Sequence, residues 1–358
     1  MELGLRQRVG LELQRRLRKN RERLHPLRSL FWECTLRCNM HCRHCGSDCK
    51  VQTDVPDMPA TDFLKAIDSL TPHVDPHKTF IIITGGEALL RTDLEEVGLA
   101  LYRRGYPWGV VTNGYLLDAR RLESLMAAGL HSITVSLDGL ENEHDWLRQH
   151  EGSFRKASDA IRLLVAQNEV LWDVVTCVNP RNIEHLAEFR DYLVGLGVQR
   201  WRIFSIFPMG RAATDPELQL DNDGLRRTLD FIKEERRKGL IDVSYACEGF
   251  LGAYEQQVRD QFFYCRSGVE VASIRCNGAI SGCTSVRSNM NQGSIYTDDL
   301  WDVWQNRFRT MRDRSWAHKG QCASCKMWRY CEGSGLHLYD DNGELLTCHY
   351  RRLPTACR

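Results

Sequence analysis

Three closely spaced cysteines are the first residues of this sequence that could do chemistry. Cys38, Cys42 and Cys45 form a C-x3-C-x2-C motif directly after an apolar run. Three thiolates on one short loop can hold three irons of a [4Fe–4S] cluster and leave the fourth iron open to a substrate or cofactor. The neighbouring His41 and His44 keep a zinc site as the alternative, although structural zinc normally takes four ligands with paired C-x2-C spacing.

A second group of cysteines lies near the C-terminus. The chain has 15 cysteines, and residues 50–246 contain only Cys177. Four of the C-terminal cysteines form a C-x2-C-x5-C motif with a further cysteine beyond it: Cys322, Cys325, Cys331 and Cys348. Four thiols are sufficient for one complete iron–sulfur cluster, and a zinc ribbon is the alternative.

The composition is that of a globular protein rather than a disordered or membrane-spanning one. Hydrophobic residues make up 42% and charged residues 27% of the 358 residues, and the formal net charge is +1. No run approaches the ~20 apolar residues of a membrane span, and the first thirty residues lack the apolar core of a secretory signal. We therefore expect a cytoplasmic protein, in which clustered thiols bind metal more often than they form disulfides.

The elements that position these cysteines follow a regular alternation. Six apolar runs predict buried strands: Ser29–Leu36, Thr79–Thr84, Trp108–Thr112, Ser132–Leu137, Trp172–Val178 and Arg200–Ile206. The segments between them predict helices: Thr61–Leu70, Thr92–Arg104, Asp118–Ala128, Ser153–Gln167 and Asn182–Leu196. Six such units imply an α/β fold with a partial, TIM-like (β/α)6 barrel, because eight are needed to close a full one. Functional groups then belong on the loops after the strands.

The rest of the chain divides around this barrel. Residues 1–28 predict a basic amphipathic helix that caps the barrel, with a peptide- or nucleic-acid-binding arm as the alternative. We expect the barrel over residues 29–220 and a helical linker over residues 221–258. A small cysteine-rich α+β domain is expected over residues 259–358.

The first cysteine motif, placed after the first predicted strand, resembles the signature of the radical S-adenosylmethionine (SAM) superfamily, whose fold is a partial (β/α)6 barrel. The resemblance implies that Cys38, Cys42 and Cys45 ligate a [4Fe–4S] cluster. It also implies that the amino and carboxylate groups of SAM chelate the fourth iron. The residue before the last cysteine is usually aromatic in that family, and here it is His44.

Polar turns follow four of the predicted strands. After the second strand, Gly85 and Gly86 let the backbone approach a ligand closely, and the carboxylate of Glu87 suits an ammonium group. The resemblance implies that this turn binds the ammonium of SAM. It also implies that turns after the third, fourth and sixth strands contact SAM through Asn113, Ser136, Asp138 and Arg211. A plain Asn-Gly turn is the alternative for Asn113, and a structural salt bridge is the alternative for Arg211.

The C-terminal cysteines resemble the SPASM domain, which carries two auxiliary [4Fe–4S] clusters in radical SAM enzymes that modify peptides and proteins. The resemblance implies a complete cluster on Cys322, Cys325, Cys331 and Cys348. It implies a second cluster on Cys265 and Cys283, around a hairpin pattern at Val271–Ile274 and Ala279–Gly282.

The second auxiliary cluster lacks an expected ligand. The full pattern has a cysteine four residues after Cys331, where this chain has Gly335. Cys276 is the candidate replacement; otherwise this cluster has an open iron or is absent. We therefore expect one or two auxiliary clusters. Cys34 and Cys49, which flank the first motif, are expected to pack around its loop.

The resemblance implies an enzyme that cleaves SAM reductively to a 5′-deoxyadenosyl radical, with flavodoxin or ferredoxin as electron donor. We expect this radical to abstract hydrogen from a ribosomally made peptide or small protein, giving a crosslink, an epimerisation or an oxidation. One alternative is a radical SAM enzyme acting on a cofactor precursor such as a tetrapyrrole. Others are sulfatase-maturase-like oxidation, which Thr284 after Cys283 disfavours, and a non-catalytic iron–sulfur or zinc protein. The sequence selects no general acid or base, and nucleic acid is not an expected partner.

Overall fold

A ten-stranded sheet runs through this computed structural model, which describes residues 3–246 and 248–353. In spatial order the strands are β10-β9-β8-β1-β2-β3-β4-β5-β6-β7, and all neighbours from β8 to β7 are parallel. Their bounds are β1 (Ser29–Glu33), β2 (Phe80–Thr84), β3 (Trp108–Thr112), β4 (Leu130–Ser136), β5 (Leu171–Val178), β6 (Arg200–Ser205), β7 (Asp242–Tyr245), β8 (Val271–Ile274), β9 (Ala279–Ser281) and β10 (Gly293–Ser294). All six predicted strands are present, and the partial (β/α)6 barrel is confirmed.

Helices cover the outer face of the parallel strands because alternate strand residues are large and apolar. Trp32, Trp108 and Trp201 are fully buried on this face, and the ring of Trp32 stacks on Phe63 with centroids 4.1 Å apart. The helices are α1 (Leu5–Leu24), α2 (Ala60–Leu70), α3 (Leu94–Arg103), α4 (Ala119–Ala127), α5 (Glu141–Arg148), α6 (Ser153–Val165), α7 (Leu186–Leu196), α8 (Asn222–Lys238), α9 (Leu300–Asn306), α10 (Arg309–Arg312), α11 (Trp328–Cys331) and α12 (His349–Arg352).

Two barrel elements go beyond the sequence prediction. The short helix α5 lies between β4 and α6, where no helix was expected. The segment 221–258, expected to be a helical linker, contains α8 but also β7, which pairs in parallel with β6 and extends the sheet. The described part of this segment therefore contributes a strand to the sheet as well as a helix.

The cysteine-rich domain is joined to the barrel through the sheet itself. The predicted hairpin forms as β8 and β9, which pair antiparallel, while β8 also pairs in parallel with β1, with Trp32 opposite Ile274. Helix α1 packs against the same domain: the guanidinium of Arg18 donates to the carbonyl of Tyr330 at 2.9 Å and pairs with Glu332. The N-terminal helix thus contacts the cysteine-rich domain.

The helices within residues 3–246 and 248–353 include none with both the length and the apolar content needed to cross a membrane.

Candidate functional site

The loop that carries the first cysteine motif leaves the end of β1 and is folded by its own backbone. Cys38 donates its N–H to the carbonyl of Lys50 at 2.8 Å, and Cys45 donates to the carbonyl of Cys42 at 3.3 Å. Cys38 and Cys42 are each 8% exposed, and they share a small apolar cluster with Met40 and Cys45. The turn therefore gathers the three thiols in a nearly dry pocket, as a cluster ligated by three thiolates requires.

The glycine pair after β2, Gly85 and Gly86, packs directly against the chain that leads into this loop. Gly86 donates to the carbonyl of Thr35 at 2.8 Å, and Glu87 donates to that of Arg37 at 2.9 Å. A Cβ at Gly86 would lie 2.0 Å from the Arg37 carbonyl oxygen, and Gly85 has a φ of +152°. Only glycine allows this approach. The pair thus presses the end of β2 against the chain that leads into the cysteine motif.

Glu87 is a buried carboxylate held between two strand ends. Its Oε1 accepts the hydroxyl of Thr112 at 2.7 Å, and its Oε2 accepts the backbone N–H of Asn113 at 2.7 Å. Burial raises the pKa of Glu87 above its usual value, although these hydrogen bonds oppose the rise. A buried carboxylate without a salt-bridge partner in the described chain fits the ammonium group that the sequence predicts for it.

Asn113 contacts the cysteine loop itself. Its side-chain nitrogen donates to Oδ1 of Asn39 at 2.8 Å, and its own Oδ1 accepts the N–H of Tyr115 at 2.9 Å. Ser136, the last residue of β4, is half-buried. The predicted contacts of Asn113 and Ser136 with SAM remain predictions.

Asp138, predicted to contact SAM, is fully buried and already paired. Both Nε and Nη2 of Arg148 lie 2.6 Å from its Oδ2, and its Oδ1 accepts the N–H of Cys177 at 2.8 Å. Arg148 reaches on to the sulfur of Cys42, 3.8 Å from its Nη1. Burial would lower the pKa of Arg148, but the Asp138 carboxylate raises it above the ordinary value. A permanent cation therefore lies against one predicted cluster ligand.

Arg211, which was also predicted to contact SAM, binds the cysteine loop. Its Nε donates to the Cys42 carbonyl at 2.7 Å, and its Nη1 donates to the Cys49 carbonyl at 2.8 Å and to Asp48 at 2.9 Å. Its backbone N–H also donates to the Cys45 carbonyl, at 3.1 Å. These contacts favour the structural alternative for Arg211 over pairing with the carboxylate of SAM.

The four cysteines of the second motif line one small cavity in the C-terminal domain. Apolar and aromatic residues complete its wall, among them Phe250, Trp328 and Tyr350. The sulfur of Cys331 accepts the N–H of Ser334 at 3.1 Å, a hydrogen bond that stabilises a thiolate. The cavity fits the complete auxiliary cluster predicted for these cysteines, which are Cys322, Cys325, Cys331 and Cys348.

The structure separates Cys276 from the cysteines that it was predicted to join. Cys265 and Cys283 lie close together, beside the start of β8 and the end of β9. Cys276 is in the turn at the opposite end of this hairpin, where its thiol donates to the carbonyl of Pro56 at 3.4 Å. Because a two-stranded hairpin holds its turn away from its open end, the expectation that Cys276 completes the second auxiliary cluster is corrected.

One group of potential zinc ligands includes a residue of the first cysteine motif. Among the described residues, His44, Asp138 and Cys177 have donor atoms that all lie within 4.8 Å of one another. Arg148 neutralises Asp138, so this group does not suit a cation.

Two arginines that sequence reasoning missed lie at the same edge of the sheet. Arg275 follows β8 and Arg287 follows β9, and Arg287 pairs with Glu33, the last residue of β1, at 2.6 Å. Burial, followed by repulsion from Arg287, lowers the pKa of Arg275. Its Nε has no hydrogen-bond partner in the described chain. Arg275 has no salt bridge in the described chain and its Nη2 donates to the carbonyl of Val286, so the site has spare positive charge for an anionic ligand.

Family models match both halves of this arrangement. One, described as the radical SAM superfamily, matches residues 32–193, and another, described as an iron–sulfur cluster-binding domain and named SPASM, matches residues 265–326. These two descriptions identify SAM and [4Fe–4S] clusters as the cofactors of the chain.

Relatives of this chain include enzymes of two kinds. An AdoMet-dependent heme synthase of Methanosarcina barkeri (strain Fusaro / DSM 804) is 26% identical over 344 residues, which cover 90% of this chain and 97% of that protein. The mycofactocin maturase MftC of Mycolicibacterium smegmatis is 27% identical over 312 residues, which cover 85% of this chain and 76% of that protein. The structure of native anSMEcpe with bound AdoMet and Cp18Cys peptide is 17% identical with a TM-score of 0.71, covering 91% of this chain and 94% of that one. At this identity it supports the fold alone.

Proposed function

This chain belongs to the radical SAM superfamily and carries a SPASM domain, and we propose that it acts on a tetrapyrrole cofactor precursor. The observation that carries the proposal is the end-to-end match with a heme synthase, which spans 97% of that protein. The maturase match leaves about a quarter of that protein uncovered, since it spans 76%. A tetrapyrrole precursor therefore replaces the peptide as the favoured substrate, and the peptide becomes the second candidate.

We propose that Cys38, Cys42 and Cys45 hold the cluster that binds SAM, with Glu87 at the ammonium group of SAM. When bound, these cofactors supply a 5′-deoxyadenosyl radical, which removes a hydrogen atom from an unactivated carbon of the substrate. Glu87 orients SAM from its buried position between β2 and β3. Arg148 adds a fixed positive charge beside Cys42. The buried walls around these groups exclude water from the radical step.

The second part of the proposal concerns the acidic side chains of a tetrapyrrole precursor. Arg275 and Arg287 lie near the end of β1, on the same sheet edge as the cysteine loop, and Arg287 pairs there with Glu33. A carboxylate of the substrate beside Arg287 would relieve the repulsion between the two cations. We assign these arginines to carboxylate binding and hence to substrate orientation.

The test uses anaerobically reconstituted full-length protein with SAM, a reductant and iron coproporphyrin III. We expect substrate-dependent formation of 5′-deoxyadenosine and a product that elutes and absorbs as heme. Iron-free coproporphyrin III and a mixture of short peptides serve as comparison substrates. Turnover of peptide without turnover of either porphyrin would overturn the proposal in favour of the second candidate.

A matched pair of variants tests the role of the arginines. Arg287→Met should raise KM for the porphyrin about tenfold, which corresponds to the loss of one charge-assisted contact of about 1.4 kcal/mol. Cleavage of SAM without porphyrin should be unchanged. Arg104→Met removes a half-buried arginine, which pairs with Asp68 of α2 on the outside of the barrel, and should leave KM unchanged. Equal KM values in all three proteins would remove Arg287 from the substrate site.

A further inference from the structure

Cys265 and Cys283, the predicted ligands of the second auxiliary cluster, lie beside position 335, where the missing ligand is expected. The full SPASM pattern places a cysteine at position 335, where this chain has glycine. The N–H of Leu336 donates to the sulfur of Cys265 at 3.5 Å, so the backbone next to position 335 does lie against the pair. The backbone at position 335 therefore lies where the pattern requires it, although the thiol is absent.

An imidazole fills the space of the missing side chain. A Cβ built on Gly335 would lie 2.5 Å from Cε1 and 2.7 Å from Nδ1 of His337, closer than real side chains approach. A cysteine at position 335 and the ring of His337 in its present place are therefore incompatible. The glycine at position 335 and the present position of the His337 ring are therefore coupled, because the ring in this place leaves no room for a larger side chain.

The ring of His337 is held in place and has a nitrogen without a partner. His337 is 8% exposed, and the edge of its ring meets Phe207 with centroids 4.9 Å apart and an angle of 62°. Its Nε2 is buried without a hydrogen-bond partner in the described chain. Burial lowers the pKa of His337 to about 4, so the ring is neutral near pH 7 and has a lone pair for a metal. Burying such a nitrogen without a partner is costly.

We propose that His337 takes the place of the missing cysteine and ligates the second auxiliary cluster together with Cys265 and Cys283. Imidazole replaces thiolate on iron in known iron–sulfur centres, and the replacement raises their reduction potential. The chain then carries a complete four-thiolate auxiliary cluster and a second one with mixed ligands. This inference rests on the SPASM domain and is independent of the substrate, so it stands or falls separately from the tetrapyrrole proposal.

The experiment compares full-length wild type and His337→Ala, reconstituted anaerobically and studied without SAM. We expect about twelve irons per wild-type chain and about eight in the variant, because one of three four-iron clusters is lost. In protein labelled with 15N-histidine, pulsed EPR of the reduced wild type should show a strong coupling to a histidine nitrogen. That coupling should disappear in His337→Ala. A wild type without such coupling, or a variant that keeps it, overturns the proposal.

Two further variants separate ligation from packing. His318→Ala changes an exposed histidine of the same domain, which stacks on Trp328, and should keep both the iron and the coupling. The exchange variant Gly335→Cys with His337→Gly removes the ring that would collide with the new side chain and restores the thiol of the pattern. It should hold about twelve irons without any histidine coupling. If His337→Ala does not fold, this exchange decides the matter, since a persistent coupling in it would overturn the proposal.

Discussion

The loop that carries the first cysteine motif and the cavity that gathers the C-terminal cysteines both contain short main-chain turns, but they differ in the side chains that hold them. Side chains from distant barrel elements fix the loop: Arg211 binds two of its carbonyls, and Arg148 connects a ligand sulfur to the buried Asp138. Short main-chain turns form the C-terminal site, such as the bond from Cys325 to the carbonyl of Cys322 at 3.1 Å. Because of this difference, the barrel can tune the first site through residues that are distant in sequence, whereas the second site depends on its own segment.

The largest expected effect separates the two sites by function. Cys38→Ala should abolish formation of 5′-deoxyadenosine, because two thiolates do not retain the cluster that binds SAM, and about four irons should be lost. Cys325→Ala should lose a similar amount of iron from the auxiliary site but still cleave SAM. Product chromatography and iron analysis check both variants. Cleavage of SAM by Cys38→Ala would remove the functional distinction between the two sites.

The next effect concerns stability. Arg148→Met leaves the carboxylate of Asp138 buried without its partner, and we expect it to lower the free energy of unfolding by about 3 kcal/mol or more. Adding Asp138→Asn should recover most of that loss. Denaturant unfolding under anaerobic conditions measures both values.

A buried arginine of the C-terminal domain, Arg314, provides a comparison for Arg148. The guanidinium of Arg314 is also buried, but it donates to the carbonyl of Ser334, and no salt bridge to it is present in the described chain. Arg314→Met should therefore cost only about 1 kcal/mol, the value of an ordinary hydrogen bond. Equal losses in Arg148→Met and Arg314→Met would contradict the contrast in how the two regions are held.

A smaller effect is expected where a side chain positions the loop without touching a sulfur. Arg211→Met removes hydrogen bonds to two loop carbonyls and should weaken iron retention at the first site about tenfold to a hundredfold, as outer-shell changes at metal sites do. Competition with a chelator, followed by the optical absorbance of the cluster, measures this loss. Arg351→Met, which removes a contact to the carbonyl of Gln321 near the C-terminal site, is the control and should change retention little.

The smallest expected effect is a pH dependence of the free energy of unfolding, which is caused by the buried Glu248. Burial raises the pKa of Glu248 to about 7, while Ser205 and Tyr245 donate hydrogen bonds to its Oε2. A raised pKa means that the folded state holds the proton more tightly than the unfolded state, so stability falls as the pH rises through 7. From pH 6 to pH 8 the loss should be about 1 kcal/mol.

Glu248→Gln provides the control for this prediction, because a glutamine at this position does not titrate. Its free energy of unfolding should lack the decrease of about 1 kcal/mol between pH 6 and pH 8, while other titrating groups still contribute equally to both proteins. Denaturant unfolding at the two pH values compares them. The same slope in both proteins would show that Glu248 is not the group responsible.

The barrel could be predicted from the sequence because each strand is a short apolar run followed by an amphipathic helix. Trp108–Thr112 has the same bounds in the prediction and in the structure. The helix α5 was missed because six of its eight residues are charged or polar and only Trp146 and Leu147 are apolar. The pairing of β8 with β1 was also beyond reach, since more than two hundred residues separate these strands and no local pattern encodes their contact.

The candidate site was predictable only as far as its motifs. The sequence placed Glu87 and Asp138 at strand ends, but it could not show that Arg148 occupies the Asp138 carboxylate. Cys276 is a candidate ligand in the sequence because it lies two residues before Gly278, although the predicted hairpin already places it in the turn, with β9 between it and Cys283. His337 gave no signal of its own, although the glycine two residues before it marked the place where something had changed.

Strand β1 lies in the interior of the sheet, with β2 on one side and β8 on the other, and the first cysteine motif follows its last residue. A chain cut before residue 259 would lose β8 and leave the backbone N–H and C=O groups of Ser29–Trp32 unpaired along that side. Such an open edge recruits strands from other molecules. The C-terminal domain therefore also protects the chain against aggregation, because β8 covers an edge whose exposure would place a self-association surface directly beside the first cysteine motif.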